Sequence, residues 1–176
     1  MSVPQAELLD FLRNVQPTAA AVKAGLKRTL QQFVVEQGWW YEQVKLTEGI
    51  CRGPEQQCLS NAMQLMIDGD SLVYCEGFAL YQNGSVPVLH AWVTDGQGHA
   101  IDNTWRSPGV AYAGVPFKSL YVTMAALASR ASISLLDDWQ NGYPLRRELG
   151  DRHEVWLELV GKGVKRLREA GPINNA

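Results

Sequence analysis

Two turn signals do most to limit the architecture open to this chain. Asn83-Gly84 and Asp95-Gly96-Gln97-Gly98 each separate runs of aromatic and β-branched residues, and such clusters close hairpins. Leu72 to Tyr81, Val86 to Thr94 and a run opening at His99-Ala100-Ile101-Asp102 therefore read as three consecutive antiparallel strands. Just upstream, Leu59, Ala62, Met63 and Met66 recur at helical spacing from Cys58 to Ile67, and Asp68-Gly69-Asp70 stops the pattern. A helix feeding straight into a small antiparallel sheet is an α+β arrangement.

That stretch also carries a thiol, an imidazole and a carboxylate in order. Cys58 falls in the first turn of its helix, where unpaired backbone N–H groups and the helix dipole favour an anion. His90 lies near the centre of the second strand. A loop of Gly96-Gln97-Gly98, with Gly98 at the position needing positive φ, pairs Asp95 with His99 and sets His90 opposite Thr104. Asp102 is then a diagonal neighbour of His90 on the same face, whereas a one-residue slip brings Asn103 there. Asp102 is the favoured partner, because a carboxylate stabilises an imidazolium better than an amide does, and Asn103 is the reserve. The bland alternative for Cys58 is a half-buried cysteine with no chemistry.

His90-Ala91-Trp92-Val93, a short turn and Ile101-Asp102-Asn103-Thr104-Trp105 resemble the His and Asp segments of the transglutaminase-like superfamily of papain-like cysteine enzymes. Cys58 at a helix start resembles that family's Cys segment, and Tyr74-Cys75-Glu76-Gly77-Phe78 the strand between them. The likeness covers under a third of the chain. It differs from many members in Gln57 before the Cys, Leu59 after it, and Asn103 where a proline is usual. The resemblance implies a papain-like fold with helices packed on a small antiparallel sheet. It also implies a cysteine hydrolase or acyltransferase attacking an amide, isopeptide or thioester of a peptide, protein or small molecule. Cys58, His90 and Asp102 would be catalytic. Gln56, Gln57, Asn103, Trp92 and Trp105 are candidates for the oxyanion site or for binding, and no cofactor is implied. The alternative is a catalytically silent domain that keeps the groove and binds a peptide or partner protein.

The chain's 176 residues suit one domain. An N-terminal helical part covers about residues 1–50, a core about 51–106, and C-terminal helices about 116–170. A net charge of −2 with scattered Lys and Arg sets nucleic acid aside. No apolar run approaches a membrane span, and no basic-then-apolar leader is seen. Three cysteines at Cys51, Cys58 and Cys75 cannot all pair and lack zinc spacing, so no metal and a reduced, cytoplasmic setting are expected.

The remaining segments read as follows. Residues 4–14 form a helix whose inner side is Leu8, Leu9, Phe11 and Leu12, and Pro17-Thr18 opens a longer one. Its stripe is Ala21, Leu26, Leu30, Phe33 and Val34, with Gly38 as its stop. Trp39-Trp40-Tyr41 suits core more than groove. Thr47 to Pro54 and Arg106 to Gly114 are loops, and Pro116 opens a helix to about Arg130 with Leu120, Met124, Leu127 and Ala128 inward. Ile133 to Leu136 is a strand candidate, and Asp137-Asp138-Trp139-Gln140-Asn141-Gly142 a solvated turn. Asp151 and Glu154 cap a last helix, with Lys165, Arg166 and Arg168 near its end and Gly171-Pro172 as its stop. His153 is expected at the surface and His99 on the face away from Asp102.

Overall fold

The computed structural model describes residues 1–23, 25–26, 28–82, 84, 86–129, 134–147 and 165–170. Its described part is α+β. The N-terminal helices are α1 (Val3–Asn14), α2 (Ala19–Lys23) and α3 (Leu30–Gln37). Strand β1 (Trp39–Gln43) precedes α4 (Cys58–Asp68), and then come β2 (Val73–Leu80), β3 (Val88–Thr94), β4 (His99–Ile101) and β5 (Ala111–Phe117). Helices α5 (Ser119–Ser129) and α6 (Pro144–Arg147) follow, with a 3₁₀ turn at Leu167–Glu169. Among the described residues no helix is long and apolar enough to cross a membrane.

The sheet differs from the small antiparallel one expected. Five strands close into a barrel in the order β1-β4-β3-β2-β5, and β1 runs parallel to β4. Strands β1 and β5 supply the additional members. The Trp39-Trp40-Tyr41 run is β1, and the Gly- and Pro-containing stretch around Tyr112 is β5 instead of loop and helix start. The His90 hairpin keeps the expected register where it is paired, with Val93 opposite Ile101 and Thr94 opposite Ala100. Gly98 takes the positive φ of 82° that the loop requires.

Alternation sorts the side chains into two cores. Tyr41, Cys75, Ala79, Trp92, Ala100 and Tyr112, drawn from all five strands, pack together inside the barrel. The outward residues Tyr74, Phe78, Ala91, Val93, Ala113, Val115 and Phe117 meet Leu8, Leu9, Leu12, Phe33, Val34, Ala62 and Met66 of the covering helices. Close approach of β2 and β5 depends on Gly77 and Gly114, which face each other. A Cβ on Gly77 would lie 2.1 Å from the Ala113 carbonyl oxygen.

Three further expectations are corrected. The long helix from Thr18 is two pieces: the chain breaks at Gly25 (φ 77°), and Thr29 starts α3 afresh with a capping box to Gln32. Helix α5 buries Val122 and leaves Leu120, Met124 and Leu127 exposed, the reverse of the expected face. Residues 165–170 form a bridge to Trp39 and the 3₁₀ turn instead of an α-helical end. The rest of the last helix, with Asp151, His153 and Glu154, lies outside the described residues, as do Ile133 and Gly171-Pro172.

Candidate active site

Strand β4 ends at Ile101 and pairs with β3 only at Val93 and Thr94. The edge of β3 at Leu89–Ala91 is therefore left without a strand on that side. Helix α4 covers the outer face of the sheet, and its first residue, Cys58, fills this opening. There its sulfur accepts a hydrogen bond from the Ala91 amide and pairs with the inward-facing His90.

His90 Nε2 lies 2.9 Å from Asp102 Oδ2, with both side chains buried. That leaves Nδ1 for the thiol. Burial pushes the Cys58 thiol up, but the hydrogen bond and charge of His90 and the amides of Ala91 and Leu59 outweigh it, so its pKa is lowered. Burial pulls His90 down, and Asp102 and Cys58 more than reverse this, raising it to about 9. The two directions agree: each group favours the charged form of the other, thiolate beside imidazolium.

Asp102 is fixed by more than the imidazole. Its Oδ1 accepts the Thr104 amide at 2.9 Å and the Trp105 amide at 3.4 Å. Its Oδ2 also accepts the Tyr112 hydroxyl at 3.0 Å, and that hydroxyl in turn accepts the Gly109 amide at 2.7 Å. Burial raises the carboxyl's pKa, but His90, Thr104 and Tyr112 together hold it below the usual range. A carboxylate accepting this many bonds cannot rotate, so the imidazole it holds keeps one orientation.

Trp105 stacks on the His90 ring, centroids 4.1 Å apart and planes 14° apart, and its edge meets Tyr81 at 5.0 Å. Trp92 lies within the barrel, its ring centroid 6.5 Å from that of His90 and its planes 23° away. It is a packing residue, not a substrate contact. Asn103 does not replace Asp102. Its carbonyl accepts the Gly53 amide at 2.9 Å and its side chain donates to the Cys51 carbonyl at 3.4 Å, tying the Cys51–Pro54 loop down.

Gln56 and Gln57 are exposed and make no side-chain hydrogen bond among the described residues. Gln56 has φ 63°, a conformation that costs a non-glycine residue and turns the chain sharply into α4. Gln57 is the N-cap yet supplies no side-chain cap. The first amides of α4 thus stay open toward the sulfur and toward any oxygen bound beside it.

Several residues of this site were not singled out by the sequence. Asn61 is buried and donates to the Pro54 carbonyl at 2.8 Å and to Thr104 Oγ1 at 2.9 Å, linking α4 to both flanking loops. Gly53 is required there, since a Cβ would lie 2.1 Å from Asn61 Oδ1. A signal existed for Asn61: it is a polar residue three after Cys58 on an otherwise apolar stripe. Tyr112 had none, because its strand was read as loop. His99 pairs with Asp95 at 2.7 Å, away from His90.

No protein-family model, curated relative or solved structure matches the chain.

Proposed function

We propose that this chain is a cysteine hydrolase or acyltransferase of papain-like, transglutaminase-like type, acting on an amide, isopeptide or thioester. The observation that carries the reading is the series of half-buried Cys58, at the start of α4, with buried His90 and Asp102, the thiol's pKa lowered and the imidazole's raised.

The chemistry follows from these groups. The Cys58 thiolate attacks the carbonyl carbon, a C–S bond forms, and the π pair moves to oxygen. The Cys58 amide, with Gln56 or Gln57 as a side-chain donor, holds that oxyanion. As the tetrahedral species collapses, the bond to the leaving nitrogen or sulfur breaks and His90 supplies its proton. Neutral His90 then takes a proton from water or an amine, which attacks the thioester carbon and releases thiolate. Asp102 keeps the ring aligned through both halves, and Trp105 shields one face of it from water.

Limiting iodoacetamide at neutral pH, followed by peptide mapping, tests the reading. Cys58 should be alkylated at least tenfold faster than exposed Cys51, even though Cys51 is more accessible. Equal labelling of the two would remove the activated nucleophile and this function with it. A library of carbon electrophiles would then report the acyl group by the scaffold that reacts fastest.

A further inference from the structure

Beside the nucleophile is a recess of about 250 Å³ lined by Leu59, Leu89, Ser134, Asp137, Asp138, Trp139 and Gln140. Leu59 follows Cys58 on α4, and Leu89 on β3 points to the outer face of the sheet that α4 covers, so the recess lies next to the start of α4. It is smaller than the ~300–1,000 Å³ that whole small ligands occupy, and so has the scale of one side chain of a larger substrate.

Its polar lining, apart from the exposed Gln140, is already committed. Ser134 Oγ donates to Glu76 and accepts the Asp137 amide. The Asp138 carboxylate holds the Asn141 amide and side chain at 3.1 and 2.8 Å, and Asp137 pairs with Arg146 at 3.6 Å. The surfaces left to recognise something are those of Leu59, Leu89 and Trp139, together with the exposed Gln140. Trp139 is 67% exposed, an unusual state for the largest apolar side chain.

The wall is hung from inside the protein. Glu76, on the outward face of β2, is fully buried and receives four donors. The Tyr74 hydroxyl and Leu135 amide reach Oε1 at 2.7 and 2.8 Å, and the Ser134 hydroxyl and Leu136 amide reach Oε2 at 2.7 and 3.2 Å. Two amides and two hydroxyls thus converge on both carboxyl oxygens, although burial raises the pKa of the group. This fixes residues 134–136 and hence the position of 137–140 along the recess.

Resting on the thiol reaction above, we propose that this recess is a subsite for a large apolar side chain of the acyl substrate, with Glu76 as the positioning residue that sets its wall. The flanking carboxylates of Asp137 and Asp138 disfavour an acidic side chain there.

N-substituted chloroacetamides carrying methyl, isobutyl, benzyl or carboxymethyl groups test this, since each leaves the same thioether on Cys58 after chloride departs. The benzyl and isobutyl reagents should alkylate Cys58 at least tenfold faster than the methyl one, and the carboxymethyl reagent more slowly than methyl. Trp139→Ala should bring the benzyl-to-methyl ratio close to one, a ratio that cancels any change in the thiol itself. Glu76→Gln should lower the same ratio, and Leu120→Ala on exposed α5 should leave it alone. Should Glu76→Gln fail to fold, the exposed Trp139 still decides the matter. Equal rates for all four reagents, with Cys58 still outpacing Cys51 toward iodoacetamide, would overturn the subsite alone. Loss of that preference for Cys58 would overturn the thiol reaction and the subsite together.

Discussion

His90 is held at both ring nitrogens and on a face: Asp102 at Nε2, Cys58 at the other nitrogen, Trp105 stacked above. Asp102 and Cys58 favour the protonated ring, and together they exceed the burial that opposes it. The sign of the pH effect follows. Cys58 loses its proton at a lower pH than an ordinary cysteine, and His90 keeps its own until about 9. The reactive pair exists between those limits, so activity should rise as pH climbs through the first and fall as it passes about 9. Histidine-selective NMR should show one of the three histidines titrating near 9. In Asp102→Asn that midpoint should move toward 6.5, and an unmoved midpoint would mean that Asp102 does not support the imidazolium. Tyr112→Phe strips Asp102 of one donor and leaves the Gly109 amide unanswered. It should cost about 1–3 kcal/mol in urea unfolding, with Cys58 still present and alkylable.

At the level of elements, capping and close approach decide what the chain forms. Thr29→Ala removes the oxygen that accepts the Gln32 amide at 3.0 Å, and should destabilise the protein by about 1 kcal/mol. Gly77→Ala should cost at least the upper end of the ~1–3 kcal/mol usual for overpacking, because the atoms it meets are backbone and cannot turn aside. Thermal unfolding of both variants against wild type measures these. The same elements show where the sequence was and was not legible. Helix α4, strands β2 and β3 and the Gly98 loop could be read because period, stop signals and a positive-φ glycine all agreed. Strand β5 was hidden because Gly114 and Pro116 look like breakers. In fact Gly114 makes room for the Trp92 ring, and Pro116 pairs with Cys75 beyond the last β1 partner, where a ladder tolerates proline. The break at Gly25 was announced by Thr29-x-x-Gln32, a capping signal outweighed by the apolar stripe running through it. Helix α5 is nearly apolar all round, so its period could not choose the face that packs.

Across the whole molecule, the site is a seam where separately stabilised parts meet. The barrel supplies His90, the covering helix supplies Cys58, and the loop after β4 supplies Asp102. Asn61, Asn103 and Arg52 stitch the Cys51–Pro54 loop to that seam, the last by donating to the Trp105 carbonyl. Order along the sequence and the hairpin register were enough to nominate Cys58, His90 and Asp102. The stitching was not legible, since it depends on loops whose approach only the closed barrel defines. The central claim is that this assembly keeps Cys58 as thiolate paired with His90, and the pH dependence of its alkylation tests that most directly. The rate constant for iodoacetamide at Cys58, followed by peptide mass from pH 4 to 10, should stay high to a lower pH than that of an ordinary cysteine. In His90→Ala the Cys58 rate should fall off at a higher pH than in the wild type, with Cys51 in the same samples as the internal comparison. A Cys58 profile that coincides with that of Cys51 and is unchanged by His90→Ala would contradict the account.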